Sequence, residues 1–218
     1  MGVENISTFG GQIDSLYTLV LIITGIAFVL TEAVLIYFLI RYRHRGEGKA
    51  HYVHGNRRLE ILWTVIPGLM FFGLAVYQTS TWREIRQELP PESESLMISM
   101  EREQFEWYAT YPGPDGRLNT EDDIAAPVNI VHVPVNRKVI VNLSSRDVLH
   151  SFFVPVLRVK QDAVPGRLIR FWFEATETGE FEIACAELCG LGHYRMRAFL
   201  TVEDDAAFDA WLAEIASR

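Results

Sequence analysis

From residue 17 to residue 40 the chain is almost unbroken apolar sequence, with Glu32 its only charge, and a helix of that length spans a bilayer. A second apolar run, 61–77, carries no charge and lies at the short end of the spanning range. Pro67 and Gly68 within it predict a kink, tolerable where a neighbouring helix covers the freed carbonyl. Past residue 95 the rhythm changes to short alternation bounded by Pro, Asn and Ser. Residues 96–100, 129–133, 138–143, 168–174, 181–184 and 196–202 read as strands, and their close spacing predicts a small Greek-key barrel or sandwich. Residues 204–217 read as a closing helix with Phe208, Trp211, Leu212 and Ile215 on one face. The resulting plan is a polar tail (1–16), a two-helix transmembrane hairpin (17–80), a polar, Pro-containing linker (81–94) and an all-β domain with a C-terminal helix (95–218).

Charge orients this plan. Between the two runs stand Arg41, Arg43, Arg45, Lys49, Arg57 and Arg58 against one acid, Glu47, before Glu60, and short basic loops stay in the cytoplasm. Both termini and the β domain are therefore expected outside. The first run is too long for a signal peptide and has no basic region ahead of it, so it reads as a retained helix. Glu32 is costly facing lipid and is expected to face another subunit or a polar cavity. From residue 81 onward there are 23 Asp and Glu against 14 Lys and Arg. That excess suits a basic soluble partner and argues against nucleic acid. The stretch 111–123 is acidic; Asp115, Asn119, Asp122 and Asp123 do not have EF-hand spacing, and an exposed turn is the simpler reading.

Candidate chemistry is concentrated in Cys185-Ala186-Glu187-Leu188-Cys189-Gly190-Leu191-Gly192-His193-Tyr194-Arg195-Met196, which holds both cysteines of the chain. Thiolate, imidazole and thioether together favour copper over hard cations, and a second thiolate lets two metals share the sulfurs. A partner histidine must come from elsewhere, with His132 or His150 the candidates outside the basic loop. The residues alone leave two alternatives open. One is a disulfide, awkward at a spacing of four. The other is a zinc site from Cys185, Cys189, His193 and His150, which leaves Met196 without a use.

The run 185–196 resembles the binuclear copper (CuA) loop of the cytochrome c oxidase subunit II family. Asp147-Val148-Leu149-His150-Ser151-Phe152 and Lys160-Gln161-Asp162-Ala163-Val164-Pro165-Gly166-Arg167 resemble two further signatures of that family, in the same order. The resemblance implies a cupredoxin-type barrel outside a bacterial inner membrane and two copper ions. Cys185 and Cys189 would bridge them, with His150 and His193 on one copper each and Met196 and the Glu187 carbonyl as further ligands. It also implies that the Glu187 carboxylate reaches a magnesium or manganese ion shared with subunit I. Glu60, in Glu60-Ile61-Leu62-Trp63-Thr64-Val65-Ile66-Pro67, matches an acid near the entrance of a proton path. The implied role is to take electrons from cytochrome c or a similar soluble carrier and pass them to haem in subunit I. That subunit, with haem and CuB, would reduce oxygen to water and pump protons.

Two positions depart from the family pattern. In Gln104-Phe105-Glu106-Trp107-Tyr108 a phenylalanine stands where the family commonly has the tryptophan that receives electrons, so Trp107 and Tyr108 join Phe105 as relay candidates. Arg146 stands where an acid often precedes Asp147. Both suggest a donor, or a donor pose, other than the usual one. Rival readings are a CuA subunit of a nitric oxide reductase and a membrane-anchored copper-binding protein without an electron-transfer role. No Cys-x-x-Cys-His haem motif is present.

Overall fold

The computed structural model describes residues 3–46, 48, 49 and 51–217; Glu47, the one acid of the basic loop, lies outside the described residues. The chain separates into a helical unit, residues 14–82, and a β unit formed by residues 1–13 and 83–218.

Two helices, α1 (Gly10–Arg41) and α2 (Arg57–Arg86), are long and apolar enough to cross a membrane, and the apolar window of neither is buried within the chain. Their threonines suit an apolar solvent. Thr18, Thr24 and Thr31 in α1, and Thr64 and Thr79 in α2, each donate to the carbonyl four residues back at 2.8–2.9 Å, so these five hydroxyls are satisfied within their own helix. Asn56 opens α2 as a cap, its Oδ1 accepting from the Arg58 and Leu59 amides. The helix then runs on through Pro67, which removes one backbone donor. Both helices outrun the apolar stretches. Part of the expected tail (from Gly10) and part of the expected linker (to Arg86) are helical. A helix once nucleated propagates through polar residues until a breaker, and residues 78–89, between the second apolar run and Pro90, hold no Gly or Pro.

The β unit consists of β1 (Ser95–Glu103), β2 (Glu106–Tyr111), β3 (Ile124–Ala125), β4 (Ile130–Pro134), β5 (Lys138–Ser145), β6 (His150–Val154), β7 (Val159–Ala163), β8 (Ile169–Glu174), β9 (Gly179–Cys185) and β10 (Arg197–Glu203). They form two five-stranded sheets, β3-β2-β1-β5-β8 and β4-β10-β9-β6-β7. The β1–β5 and β4–β10 pairs are parallel and the others antiparallel. This is a cupredoxin-like sandwich. Helix α3 (Asp205–Ala216) follows, capped by Asp204, whose side chain accepts from the Ala207 amide at 2.9 Å. Trp211 on α3 stacks on His132 of β4 with ring centroids 4.0 Å apart.

The six predicted strands correspond to β1, β4, β5, β8, β9 and β10; β2, β3, β6 and β7 were not predicted. In β6 four of five residues are buried, so no alternation marks it. A second departure lies at the N-terminus. Residues read as a polar tail enter the β core: Ile6 and Phe9 are buried, Ser7 bridges to Ala175, and the Ile6 amide donates to Val156 at 3.0 Å. Two apolar side chains in a polar stretch give no periodic signal, yet each contributes about 1.5–3 kcal/mol when buried.

Candidate metal centre

The site is assembled at one end of the second sheet. β6 begins at His150, β9 ends at Cys185, and β10 begins one residue after Met196, so the strand ends themselves deliver three of the predicted side chains. The 186–196 loop is pinned at its base. Cys185 N donates to the Met196 carbonyl at 3.1 Å and Ala186 N to the Ser151 carbonyl at 3.0 Å. Within the loop, one helical turn at His193–Arg195 is closed by Met196 N to the His193 carbonyl at 3.2 Å. That turn directs His193 and Met196 back towards the cysteines.

Both cysteines are buried and free, with sulfurs 3.8 Å apart, against about 2.05 Å for a disulfide. Cys185 Sγ lies 3.9 Å from His150 Nδ1 and 3.3 Å from the Glu187 carbonyl oxygen. Cys189 Sγ lies 3.7 Å from His193 Nδ1 and 3.7 Å from the Met196 sulfur. Donor atoms about 2.0–2.3 Å from one ion stand roughly 3.3–3.8 Å apart at tetrahedral angles, so these separations fit ligands sharing metal. Each sulfur has its own flanking donors, and the thioether beside Cys189 suits copper and has no place in a zinc site.

The surrounding residues prepare the donors. His150 is buried, and its Nε2 lies 2.8 Å from Asp147 Oδ1. A carboxylate there accepts a hydrogen bond from Nε2–H and leaves the Nδ1 lone pair facing the sulfurs. Partial burial pushes the Asp147 carboxyl up, but hydrogen bonds from His150, Val148 and Gln104 outweigh it and hold it below the usual carboxylate range. Burial, reinforced by Cys185, pushes the Cys189 thiol up to about 12. Without metal that thiol is protonated, and metal binding must displace the proton. Gln104 ties the β1–β2 turn to the loop, its side-chain amide donating to the Cys189 carbonyl.

The aromatic candidates occupy different depths. Phe105 is half-buried and lies on the loop backbone, where a Cβ on Gly192 would stand 2.5 Å from its Cδ2. Trp107 is 1% exposed and meets Phe152 edge-on at 5.8 Å. Tyr108 is half-buried, with its hydroxyl on Glu106 at 2.7 Å and the Arg146 guanidinium over its ring. Arg146 is exposed and pairs with Glu101 and Glu103. The Glu187 side chain is half-buried, and Glu60 is exposed in the first turn of α2. His132 stands apart from the cluster, its Nδ1 2.7 Å from Glu203. Nothing in the residue pattern marked the parts played by Asp147 and Gln104. The one available signal for Asp147 was its position three residues before His150.

Fold and site together define a membrane-anchored, cupredoxin-like protein with a thiolate-rich site suited to copper. Residues 6–80 match the family described as cytochrome c oxidase subunit II, transmembrane domain, and residues 101–202 match cytochrome c oxidase subunit II, periplasmic domain. The chain belongs to the cytochrome c oxidase subunit II family; it is a two-span membrane protein and a subunit of a terminal oxidase, an oxidoreductase complex. It is 31% identical over 230 residues to the alternative cytochrome c oxidase subunit 2 of Bradyrhizobium diazoefficiens, covering 96% of this chain and 82% of that one. It is 35% identical over 223 residues to cytochrome c oxidase subunit 2 of Alkalihalophilus pseudofirmus, covering 97% and 63%. The crystal structure of the periplasmic domain of subunit II of cytochrome oxidase of Bradyrhizobium japonicum superposes with a TM-score of 0.51 at 31% identity, covering 60% of this chain and 98% of that domain.

Proposed function

We propose that the chain is the electron-accepting subunit of a proton-pumping haem-copper terminal oxidase. It takes electrons from cytochrome c or a similar soluble carrier and passes them to haem in subunit I, where oxygen is reduced to water. The observation that carries this reading is the convergence of two free, buried cysteines with His150, His193, Met196 and the Glu187 carbonyl. Those six residues would hold two copper ions. When bound, the copper pair supplies a one-electron carrier whose charge change is spread over two ions.

The chain's own residues do the rest. Burial of Cys185, Cys189 and Met196 excludes water from the sulfurs, Asp147 fixes His150, and the pinned loop keeps donor positions alike in both redox states. Leu188, Leu191 and Tyr194 are highly exposed on the loop and offer the donor an apolar contact on a domain of net acidic charge. Phe105, seated on that loop, is the aromatic in place to meet it; Trp107, being buried, touches no donor. The Glu187 carboxylate supplies one ligand to a magnesium or manganese ion completed by subunit I, and Glu60 lies near the mouth of a proton path. The 17–80 hairpin sits in a bacterial inner membrane with both termini and the 95–218 domain outside.

Copper content and electron paramagnetic resonance of the copper-loaded chain test this. Two coppers per chain, with more hyperfine lines than a single copper nucleus gives, are expected. One copper with an ordinary pattern, or zinc in its place, overturns the proposal.

A further inference from the structure

Strand β1 alternates strictly, and the side chains it turns inward are Leu96, Ile98, Met100 and then Arg102. The strand period thus carries an arginine into a core position, two residues before the Gln104 that clamps the metal loop. Arg102 has no exposed surface, and none of its three guanidinium nitrogens meets a hydrogen-bond partner among the described residues. Its guanidinium carbon lies 4.2 Å from the ring centre of Trp107, its register partner on β2. Trp107 meets Phe152, and Phe152 is the register partner of Cys185. The Arg102 carbonyl accepts from the amide of Arg146, next to the Asp147 that orients His150. Burial lowers the guanidinium to about 9 while Cys185 pulls the other way. Arg102 stays cationic at neutral pH, and Trp107 and Phe152 connect its side of the core to the strand position of Cys185.

A charge withdrawn from water without hydrogen-bond partners is a heavy cost for a core. An apolar side chain of similar volume packs there at lower cost, and contact with one indole face recovers only part of the difference. Packing therefore does not account for an arginine at this place. Electrostatics does. A fixed positive charge in a dry interior favours the reduced state of a neighbouring centre, because reduction adds negative charge beside it. The two thiolates gain from the same charge, which offsets part of their own desolvation.

We propose that Arg102 is the built-in positive charge of the metal centre: a buried guanidinium, held on the face of Trp107, that raises the reduction potential of the copper bound by Cys185 and Cys189. The proposal rests on the copper reading above. Arg102 acts through space and touches no donor atom, so it is a tuning residue and not a ligand.

The test is a redox titration of the copper-loaded full-length chain in detergent, comparing wild type with Arg102→Met and Arg102→Lys, and recording the hyperfine pattern of each. A unit charge on the order of 10 Å from a redox centre, at an effective permittivity of about 20, biases a one-electron equilibrium by about tenfold; that corresponds to about 59 mV. Arg102→Met is expected to keep the two-copper pattern and lose about tenfold in its reduction equilibrium, and Arg102→Lys to recover most of it. Equal potentials in wild type and Arg102→Met overturn the proposal while leaving the copper site intact. If Arg102→Met takes up no copper, Arg102→Lys decides: copper uptake with a near wild-type potential supports a role for charge, and failure of both variants overturns it in favour of shape. Absence of copper from wild type overturns the site reading and this proposal with it.

Discussion

Replacing Asp147 with asparagine keeps the size of the side chain and removes what makes it useful. Its two oxygens accept four hydrogen bonds: Oδ1 from His150 Nε2 at 2.8 Å, from Val148 N at 2.6 Å and from Ser145 Oγ at 3.4 Å, and Oδ2 from Gln104 N at 2.7 Å. An amide has one acceptor oxygen. With that oxygen towards His150, its NH2 faces the Gln104 N–H, donor against donor. Turned over, it leaves the Nε2 proton of His150 without an acceptor, and the imidazole is free to switch tautomer and present Nδ1–H to the sulfurs. Either way one charge-assisted hydrogen bond is lost, worth about 1.5–3 kcal/mol. At about 2 kcal/mol the loss corresponds to roughly 30-fold in copper affinity, within the 10–100-fold that such supporting groups typically contribute. Competition of the full chain against a copper chelator at pH 7 measures this. The proper control is Asp122→Asn in the exposed acidic turn, where the carboxylate meets Thr120 and Asp115. Copper affinity of Asp147→Asn within about threefold of wild type, or an equal loss in the control, refutes the argument.

Gly192→Ala places a methyl 2.5 Å from Phe105 Cδ2 and 2.6 Å from its Cγ, the root of a ring that cannot yield without moving the β1–β2 turn. A cost of about 1–3 kcal/mol in urea unfolding of the metal-free chain is expected, and Phe105→Ala should relieve it; additive costs in the double variant would sink the idea. Because the Cys189 thiol is held up to about 12, copper uptake must release protons, so affinity rises with pH between 5 and 8. Calorimetry in buffers of different ionisation heat detects this, and buffer-independent heats would contradict it. The Asp162 carboxyl is held down by hydrogen bonds from Lys160 and Ser151, and the Asp147 carboxyl by those that outweigh its burial. A carboxyl lowered in the folded state contributes stability that is present above the ordinary carboxylate range and disappears as pH falls through the lowered value. The urea midpoint of the metal-free chain should therefore drop between pH 5 and pH 2, and less steeply in Asp162→Asn; parallel curves would count against it.

The donor set shows how far residue order reaches. Cys185, Cys189, His193 and Met196 sit on one short loop, so their meeting is a local matter and legible as such. Choosing His150 over His132 needed the motif around it, and the structure separates the two plainly: His150 faces the sulfurs, whereas His132 pairs with Glu203 and stacks on Trp211. The three aromatics of 105–108 were not separable by pattern. Alternation along β2 buries Trp107 and leaves Tyr108 half-exposed, while Phe105 lies in the turn before it, where only tertiary packing against Gly190 and Gly192 decides its place.

What the sequence determined by itself is whatever depends on near neighbours along the chain. The two spans follow from unbroken apolar length, six strands from alternation, α3 from its apolar face, and the metal class from the chemistry of one loop. Tertiary structure alone decided what depends on partners far away in the chain. Ile6 and Phe9 find their core across more than a hundred residues, beside Val156 and Ala175. β6 is a strand because β7 and β9 pair with it, its burial having erased the alternation that would have announced it. Arg102 shows both influences at once. The period of β1 fixes which way it points, and the second sheet, closing over that face, turns an ordinary arginine into a buried charge beside the site.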